Sequence, residues 1–248
     1  MRRENLFRKM KNKAPLHLSL VDPGALDYDQ TLERALAAAQ AGTDAILVGG
    51  STNIIPEVLD NLVLDIKRET GLPVILFPGN INGLSRNADA VLFLSLLNSL
   101  DPYYISGVQV QAAPIVLRMG IEVIPTAYII IGYGGAVGHV GRAHIIPWEK
   151  PSLVASYALA GIMMGMKAVY LEAGSGSPRP ISSEAVKMTR LLLESYTDDF
   201  LLIVGGGIRD AETARSIIEA GADAIVTGTI LEENVDRAVE IVNAVKSR

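Results

Sequence analysis

Apolar residues in this chain gather into short runs, and most runs are followed by a longer stretch in which apolar positions recur at helical spacing. Glycine or proline stands between the two, which is the pattern of alternating strands and helices. The runs predict strands over 16–21, 45–48, 74–77, 90–94, 122–124, 168–171, 201–204 and 224–226, eight in all. Helices are expected over 28–41, 55–70, 105–119, 151–165, 182–194, 210–220 and 231–246. Gly42, Gly71, Gly120 and Gly221 stand just past helix ends, and Ser182 and Asp210 offer capping oxygens at helix starts. Runs without strict alternation suit parallel strands covered on both faces. Eight such units point to an α/β fold, a closed (β/α)8 TIM barrel, with an open doubly wound sheet as the alternative. The segment 78–89 is too short and too rich in turn residues for a crossover helix, so the third helix is expected to be missing or irregular.

Composition narrows the class. The chain has 248 residues, a length that α/β barrels use as one unit, and no linker or low-complexity stretch divides it; a single domain with a short N-terminal helix is expected. Hydrophobic residues make up 49% and charged residues 20%, which excludes a disordered chain. A net charge of −5 gives no general attraction to nucleic acid, and the basic cluster Arg2, Arg3, Arg8, Lys9, Lys11 and Lys13 reads as a solvated N-terminal helix. The absence of cysteine excludes disulfides, thiolate metal sites and a cysteine nucleophile, and fits a reducing compartment. No apolar core follows the basic start, and the most apolar stretch, 121–137, contains Glu122, Pro125 and glycines where a spanning helix wants about 20 clean residues. A soluble, cytoplasmic protein is expected.

In (β/α)8 barrels the chemistry sits at the C-terminal strand ends, so the residues after each run carry the functional signal. In order they are Asp22-Pro23, Gly49-Gly50-Ser51-Thr52, Pro78-Gly79-Asn80, Ser95 to Asn98, Pro125-Thr126, Glu172-Ala173-Gly174-Ser175-Gly176, Gly205-Gly206-Gly207-Ile208 and Thr227-Gly228-Thr229. The paired glycine loops after the last two strands lead into helix starts, where backbone N–H groups can approach a phosphate. Gly205 to Gly207 alone would serve a tight turn equally well; Gly228-Thr229 beside it favours phosphate. Asp22, with the Ser51 hydroxyl on the neighbouring strand, could serve Mg²⁺, a cation that takes one or two carboxylates and substrate phosphate oxygens; a turn-forming aspartate is the other reading. Glu172, a carboxylate at a buried strand end, is costly unless it meets something polar. His17 reads as a satisfied residue of the barrel interior. His139 and His144 fall in a loop able to close over the site, without a metal-ligand pattern, and Trp148, Tyr103 and Tyr104 read as packing or subunit contacts. Nucleophilic catalysis has little support, because Gly174-Ser175-Gly176 lacks an obvious histidine partner.

Taken together, Val21-Asp22-Pro23, Gly49-Gly50-Ser51, the segments 93–99 and 125–132, Tyr170 to Gly176, 204–208 and Thr227-Gly228-Thr229 resemble the geranylgeranylglyceryl phosphate synthase family of prenyltransferases, over essentially the whole chain. The resemblance implies a (β/α)8 barrel without a regular third helix that joins sn-glycerol 1-phosphate to geranylgeranyl diphosphate with Mg²⁺, the first ether bond of archaeal lipids. It implies that Asp22 and Ser51 bind Mg²⁺ and thereby the diphosphate. Tyr170, Leu171, Glu172, Ala173, Gly174, Ser175, Gly176, Gly206, Gly207, Gly228 and Thr229 would hold glycerol phosphate, with Glu172 taking the proton of the attacking hydroxyl. Gly24-Ala25 stand where many relatives carry an acidic-basic pair. The region 93–97 and the loop 129–137 are candidates for the prenyl groove. A relative using a longer prenyl donor, a sugar-phosphate isomerase or cyclase, and a non-catalytic phosphate-binding barrel are the alternatives. Self-association is expected from apolar faces rich in alanine and tyrosine.

Overall fold

The computed structural model describes residues 5–50, 55–228, 230 and 235–247. Ser51, Thr229, Arg2, Arg3 and residues 231–234 of the last expected helix lie outside the described residues.

Eight parallel strands hydrogen-bond in chain order, and the eighth pairs with the first to close the barrel. They are β1 (Leu16–Val21), β2 (Ala45–Val48), β3 (Val74–Leu76), β4 (Ala90–Leu96), β5 (Glu122–Ile130), β6 (Ala168–Glu172), β7 (Leu201–Gly205) and β8 (Ala224–Thr227). The helices are α1 (Leu6–Lys13), α2 (Tyr28–Ala41), α3 (Pro56–Thr70), α4 (Val108–Met119), α5 (Gly135–Val140), α6 (Pro151–Met163), α7 (Ser183–Glu194), α8 (Ala211–Glu219) and α9 (Val235–Lys246). Between β3 and β4 the crossover is a single 3-10 turn, Ile81–Gly83, as its turn-rich sequence predicts. None of the described helices is long and apolar enough to cross a membrane.

Strand alternation sorts the core into two layers. Leu16, Leu18, Leu47, Leu92, Ile124 and Tyr170 fill the barrel interior, whereas Ile46, Val48, Val91, Ile129, Leu171 and Val204 face the helices. Both faces are apolar, which is why the sequence shows runs rather than alternation. Helix starts are fixed by local oxygens: Ser182 accepts from the Ala185 amide at 3.2 Å and Asp210 from Thr213 at 2.7 Å. Asp27 and Gln30 form a reciprocal capping box that the sequence reading passed over.

Three expectations are corrected. Strand five does not stop at residue 124 with Pro125-Thr126 at the rim; β5 runs through both to Ile130, and Thr126 is buried inside it. Pro125 forfeits one donor, but its carbonyl still accepts from the Lys167 amide at 2.8 Å. The helix α1 is only partly solvated: Phe7 and Met10 are buried and join the interior cluster. Glu122, at the start of β5, accepts from the Leu6 and Phe7 amides at 2.5 and 2.9 Å, which seats α1 against that end of the barrel. His17 is satisfied, as expected, but belongs to the helix-facing side of β1, out of register with the interior residues Leu16 and Leu18.

Candidate functional site

Asp22, Gly49, Gly50, Phe77, Tyr128, Glu172, Gly206, Gly207 and Gly228 line one cavity of about 320 Å³ at the C-terminal ends of the strands. Its two halves differ in chemistry. On the β7–β8 side lie Ser175, Gly176, Gly206, Gly207 and Gly228, with Arg209; on the β4–β5 side lie Leu94, Leu96, Tyr104, Val108, Val137 and Val140. The apolar half follows from strand parity, because Leu94 and Leu96 turn into the barrel while Phe93 and Leu97 pack on the helix-facing core. Of residues 93–97, where the prenyl groove is expected, Leu94 and Leu96 line the cavity. Of the loop 129–137, Ile129 and Ile130 are strand residues, and Ala136 and Val137 of α5 reach the cavity.

Glu172 ends β6 between the two halves. It is 6% exposed, its Oε1 accepts from the Gly174 amide at 2.6 Å, and its Oε2 accepts from the Tyr128 hydroxyl at 3.4 Å. Burial raises its pKa from 4.5 to about 7, against the lowering effect of the Gly174 amide and the Tyr170 and Tyr128 hydroxyls. Tyr128, Tyr170 and Phe77 form an aromatic wall beside it: Phe77 stacks on Tyr170 at 5.2 Å, and Tyr128 meets both edge-on at 5.6 and 5.3 Å. The strand-end glycines make room for this wall. A Cβ on Gly205 would lie 2.3 Å from the Tyr170 hydroxyl, and one on Gly206 would lie 2.6 Å from Glu172 Oε1.

Asp22 is half-buried at the end of β1, and its Oδ1 accepts from the Gly24 amide at 2.8 Å. Burial raises its pKa, opposed by the Gly24 and Ala25 amides. A Cβ on Gly50 would fall 1.9 Å from Asp22 Oδ1, so the glycine after β2 leaves the face of the carboxylate open. An oxygen donor that burial disfavours as an anion, opened to a cavity by a glycine, fits a hard cation. Ser51, the expected second donor, lies outside the described residues, and no group of three His, Asp or Glu capable of holding a metal occurs among the described ones.

Of the expected phosphate-holding residues, Tyr170, Glu172, Ser175, Gly176, Gly206, Gly207 and Gly228 line the cavity. Leu171 and Ala173 do not; both are fully buried on the helix-facing side, where the even-odd period of β6 sends them. The Gly174 amide is committed to Glu172. Gly206 and Gly207 hold φ at +84° and +71°, a backbone that side chains rarely adopt, and a Cβ on Gly207 would meet the Arg179 carbonyl oxygen at 2.6 Å. His139 is exposed on α5, and the His144 amide donates to the Asn98 carbonyl at 2.6 Å. Trp148 packs under the Arg179 guanidinium at 4.6 Å, as a packing residue should. Tyr104, read as a packing or subunit residue, lines the apolar half.

Sequence reasoning missed three residues. Tyr128 was discoverable: had β5 been carried past Pro125, alternation places it on the interior face beside Glu172. Phe77 was read as the last strand residue, with no sign that it faces the cavity. Arg209 carried no signal except its position after the glycine turn; it is the one cationic side chain among the described cavity-lining residues, and its guanidinium donates to the Gly176 carbonyl at 3.4 Å.

Residues 7–246 match the PcrB family. The chain is 50% identical to the geranylgeranylglyceryl phosphate synthase of Aeropyrum pernix, covering all of this chain and 99% of that one. Among solved structures, (S)-3-O-geranylgeranylglyceryl phosphate synthase from Thermoplasma acidophilum in complex with sn-glycerol-1-phosphate superposes with a TM-score of 0.91 at 41% identity, over 98% of this chain and 99% of that chain. The enzyme of Thermoplasma volcanium also gives 0.91, at 43% identity over 99% of each. The chain belongs to the PcrB family, and it is 48–50% identical to the geranylgeranylglyceryl phosphate synthases of Aeropyrum pernix and Sulfolobus acidocaldarius.

Proposed function

We propose that this chain joins the C3 hydroxyl of sn-glycerol 1-phosphate to geranylgeranyl diphosphate, forming an ether bond and releasing diphosphate. The observation that carries the reading is one cavity with glycine turns at one side, an apolar wall at the other, and a buried carboxylate of pKa about 7 between them. Its chemistry suits a small phosphate ester and a long hydrocarbon tail reacting at a shared point.

The amides of Gly206, Gly207 and Gly228, with Arg209, hold the phosphate of glycerol phosphate. Phosphate so anchored carries the C3 hydroxyl to Glu172, and fixing that alignment converts an encounter into a positioned reaction. The tail of the donor lies along Leu94, Leu96, Val108 and Val137, excluding water. The bond between the allylic carbon and the diphosphate oxygen breaks with its electron pair leaving on diphosphate. The rings of Phe77 and Tyr128 favour the positive charge that develops on carbon. The glycerol oxygen forms the new bond to that carbon, and its proton passes to Glu172, a base whose pKa lies near neutral pH. Asp22, with Ser51, would hold Mg²⁺, which when bound stabilises the departing diphosphate.

Exposed Leu153 and Met163 on α6 and Leu191 on α7 support the expected self-association, which light scattering reads. Incubating the chain with labelled sn-glycerol 1-phosphate and prenyl diphosphates of graded length, then extracting into organic solvent, tests the reaction. Label should appear in the organic phase, most of all with the geranylgeranyl donor. Preference for a longer tail would assign the longer-donor relative instead, and no transfer with any donor would overturn the proposal.

A further inference from the structure

His17 is fully buried on the helix-facing side of β1, and the mechanism above does not use it. Its ring touches two hydroxyls: Nδ1 lies 2.9 Å from Thr43 Oγ1, and Nε2 lies 3.0 Å from Thr227 Oγ1. The proton positions follow from the remaining contacts. Thr43 Oγ1 is also 2.9 Å from the His17 carbonyl oxygen, a separation that needs the threonine proton between two oxygens. Thr43 therefore accepts from the ring, so Nδ1 carries hydrogen. Burial lowers the histidine pKa to about 4, Asp44 opposing and Lys246 assisting, so the ring is neutral and Nε2 is bare. Thr227 must then donate its hydroxyl proton to Nε2, which fixes its side-chain rotation.

The two threonines lie on opposite sides of the His17 ring, Thr43 ahead of β2 and Thr227 at the C-terminal end of β8. Thr43 precedes β2, next to Asp44, which pairs with Lys13 and Lys246 at 2.8 and 3.3 Å and accepts from the His17 amide at 2.9 Å. Thr227 ends β8, lines the cavity and is bonded through the chain to Gly228. A seam of this kind is directional, whereas apolar side chains in its place would fill the same space without fixing a rotation.

We infer that His17 is a positioning residue which, by accepting the Thr227 hydroxyl, sets the turn at Gly228 for the phosphate of glycerol phosphate. The inference rests on the proposed function for the identity of that phosphate. It assigns the histidine no contact with substrate.

Thr227→Val and His17→Phe remove the same bond from its two ends. Each should raise KM for sn-glycerol 1-phosphate about fivefold, the worth of one neutral hydrogen bond, with KM for the prenyl diphosphate unchanged. The double variant should be no worse than the more affected single variant, since neighbours in one network are not additive. Thr227→Ser, which keeps the hydroxyl, should restore the parent KM. Equal changes in both KM values would overturn the inference, because a merely structural seam predicts them; additive effects, or a Ser variant that behaves like Val, would overturn it by showing that the His17–Thr227 bond does not carry the change. If His17→Phe does not fold, the Val and Ser pair at position 227 decides alone. Calorimetric binding of sn-glycerol 1-phosphate separates the two proposals: a Thr227-dependent affinity in a chain that transfers no prenyl group would sustain the seam and remove the reaction.

Discussion

Replacing Glu172 by glutamine tests whether the cavity holds its carboxylate at a cost in stability. The side chain is 6% exposed and its pKa is raised from 4.5 to about 7 by burial. At 1.36 kcal/mol per tenfold change in proton affinity, that difference is worth about 3 kcal/mol. The sign follows from which state binds the proton more tightly. Between 4.5 and about 7 the folded chain keeps a proton that the unfolded chain has released. Stability contributed by that proton is therefore fully present below 4.5 and is lost as pH rises through about 7. Glutamine has no such proton to lose. Its Oε1 can still accept the Gly174 amide, and its NH₂ can donate to the Tyr128 hydroxyl, so the geometry survives.

Denaturant unfolding of parent and Glu172→Gln at about pH 5 and about pH 8 should show the variant gaining about 2–3 kcal/mol on the parent across that interval, with equal m-values. Turnover should move the other way, falling about 10²–10⁴-fold, because the variant cannot accept a proton. In the parent, kcat/KM should decline below about pH 7 as Glu172 protonates, and the residual activity of the variant should lack that limb. A stability difference that does not change with pH, or an acid limb that persists in the glutamine variant, would refute the assignment of the shifted proton to Glu172.

Asp22→Asn should raise KM for the prenyl diphosphate at least tenfold and abolish the thermal stabilisation that added Mg²⁺ gives the parent, read by calorimetry. Arg209→Gln should raise KM for sn-glycerol 1-phosphate severalfold while leaving KM for the prenyl donor unchanged, which steady-state kinetics with each substrate varied will show. Gly206→Ala meets two penalties, a left-handed backbone and a Cβ 2.6 Å from Glu172 Oε1; it should cost about 1–3 kcal/mol in denaturant titration and lower kcat/KM about 100-fold.

The barrel was legible because its strands are covered on both faces and α2, α3 and α4 end at glycine. Those two facts are written in residue type alone, and β1, β2 and α2 match their predicted bounds. The boundary that failed was β5, where a single proline was weighted as a stop although the ladder can spare one donor. That misreading moved the rim of the fifth strand by several residues and hid Tyr128. Of the expected site, Asp22, Glu172, Gly206, Gly207 and Gly228 converge on the cavity because each ends or follows a strand, a position countable in sequence. Leu171 and Ala173 entered with a contiguous motif, and strand parity turns them away. Arg209 and His17 were not legible as functional, since one depends on where a flexible side chain falls and the other on a contact with Thr227 across 210 positions of sequence.

The glycine pattern itself has a second physical reading that only the coordinates supply. Glycine at a strand end was taken as a means of exposing amides to phosphate. Each of four such positions also lies where a Cβ would strike a particular neighbour: Gly50 the Asp22 carboxylate, Gly205 the Tyr170 hydroxyl, Gly206 Glu172 and Gly207 the Arg179 carbonyl. The same missing carbon thus lets two acids and a phenol stand upright beside the rim. For the proposed reaction, a cavity that holds Asp22 and Glu172, with Arg209 as its one cation among the described lining residues, would answer the charge of two anionic substrates with backbone dipoles at one side and a bound cation at the other. Burial raises the pKa of both acids, which disfavours each as an anion. Filling the Asp22 side with a divalent ion should therefore pull the Asp22 pKa back down, whereas Glu172, paired only with an amide and two hydroxyls, keeps the raised value that a base needs.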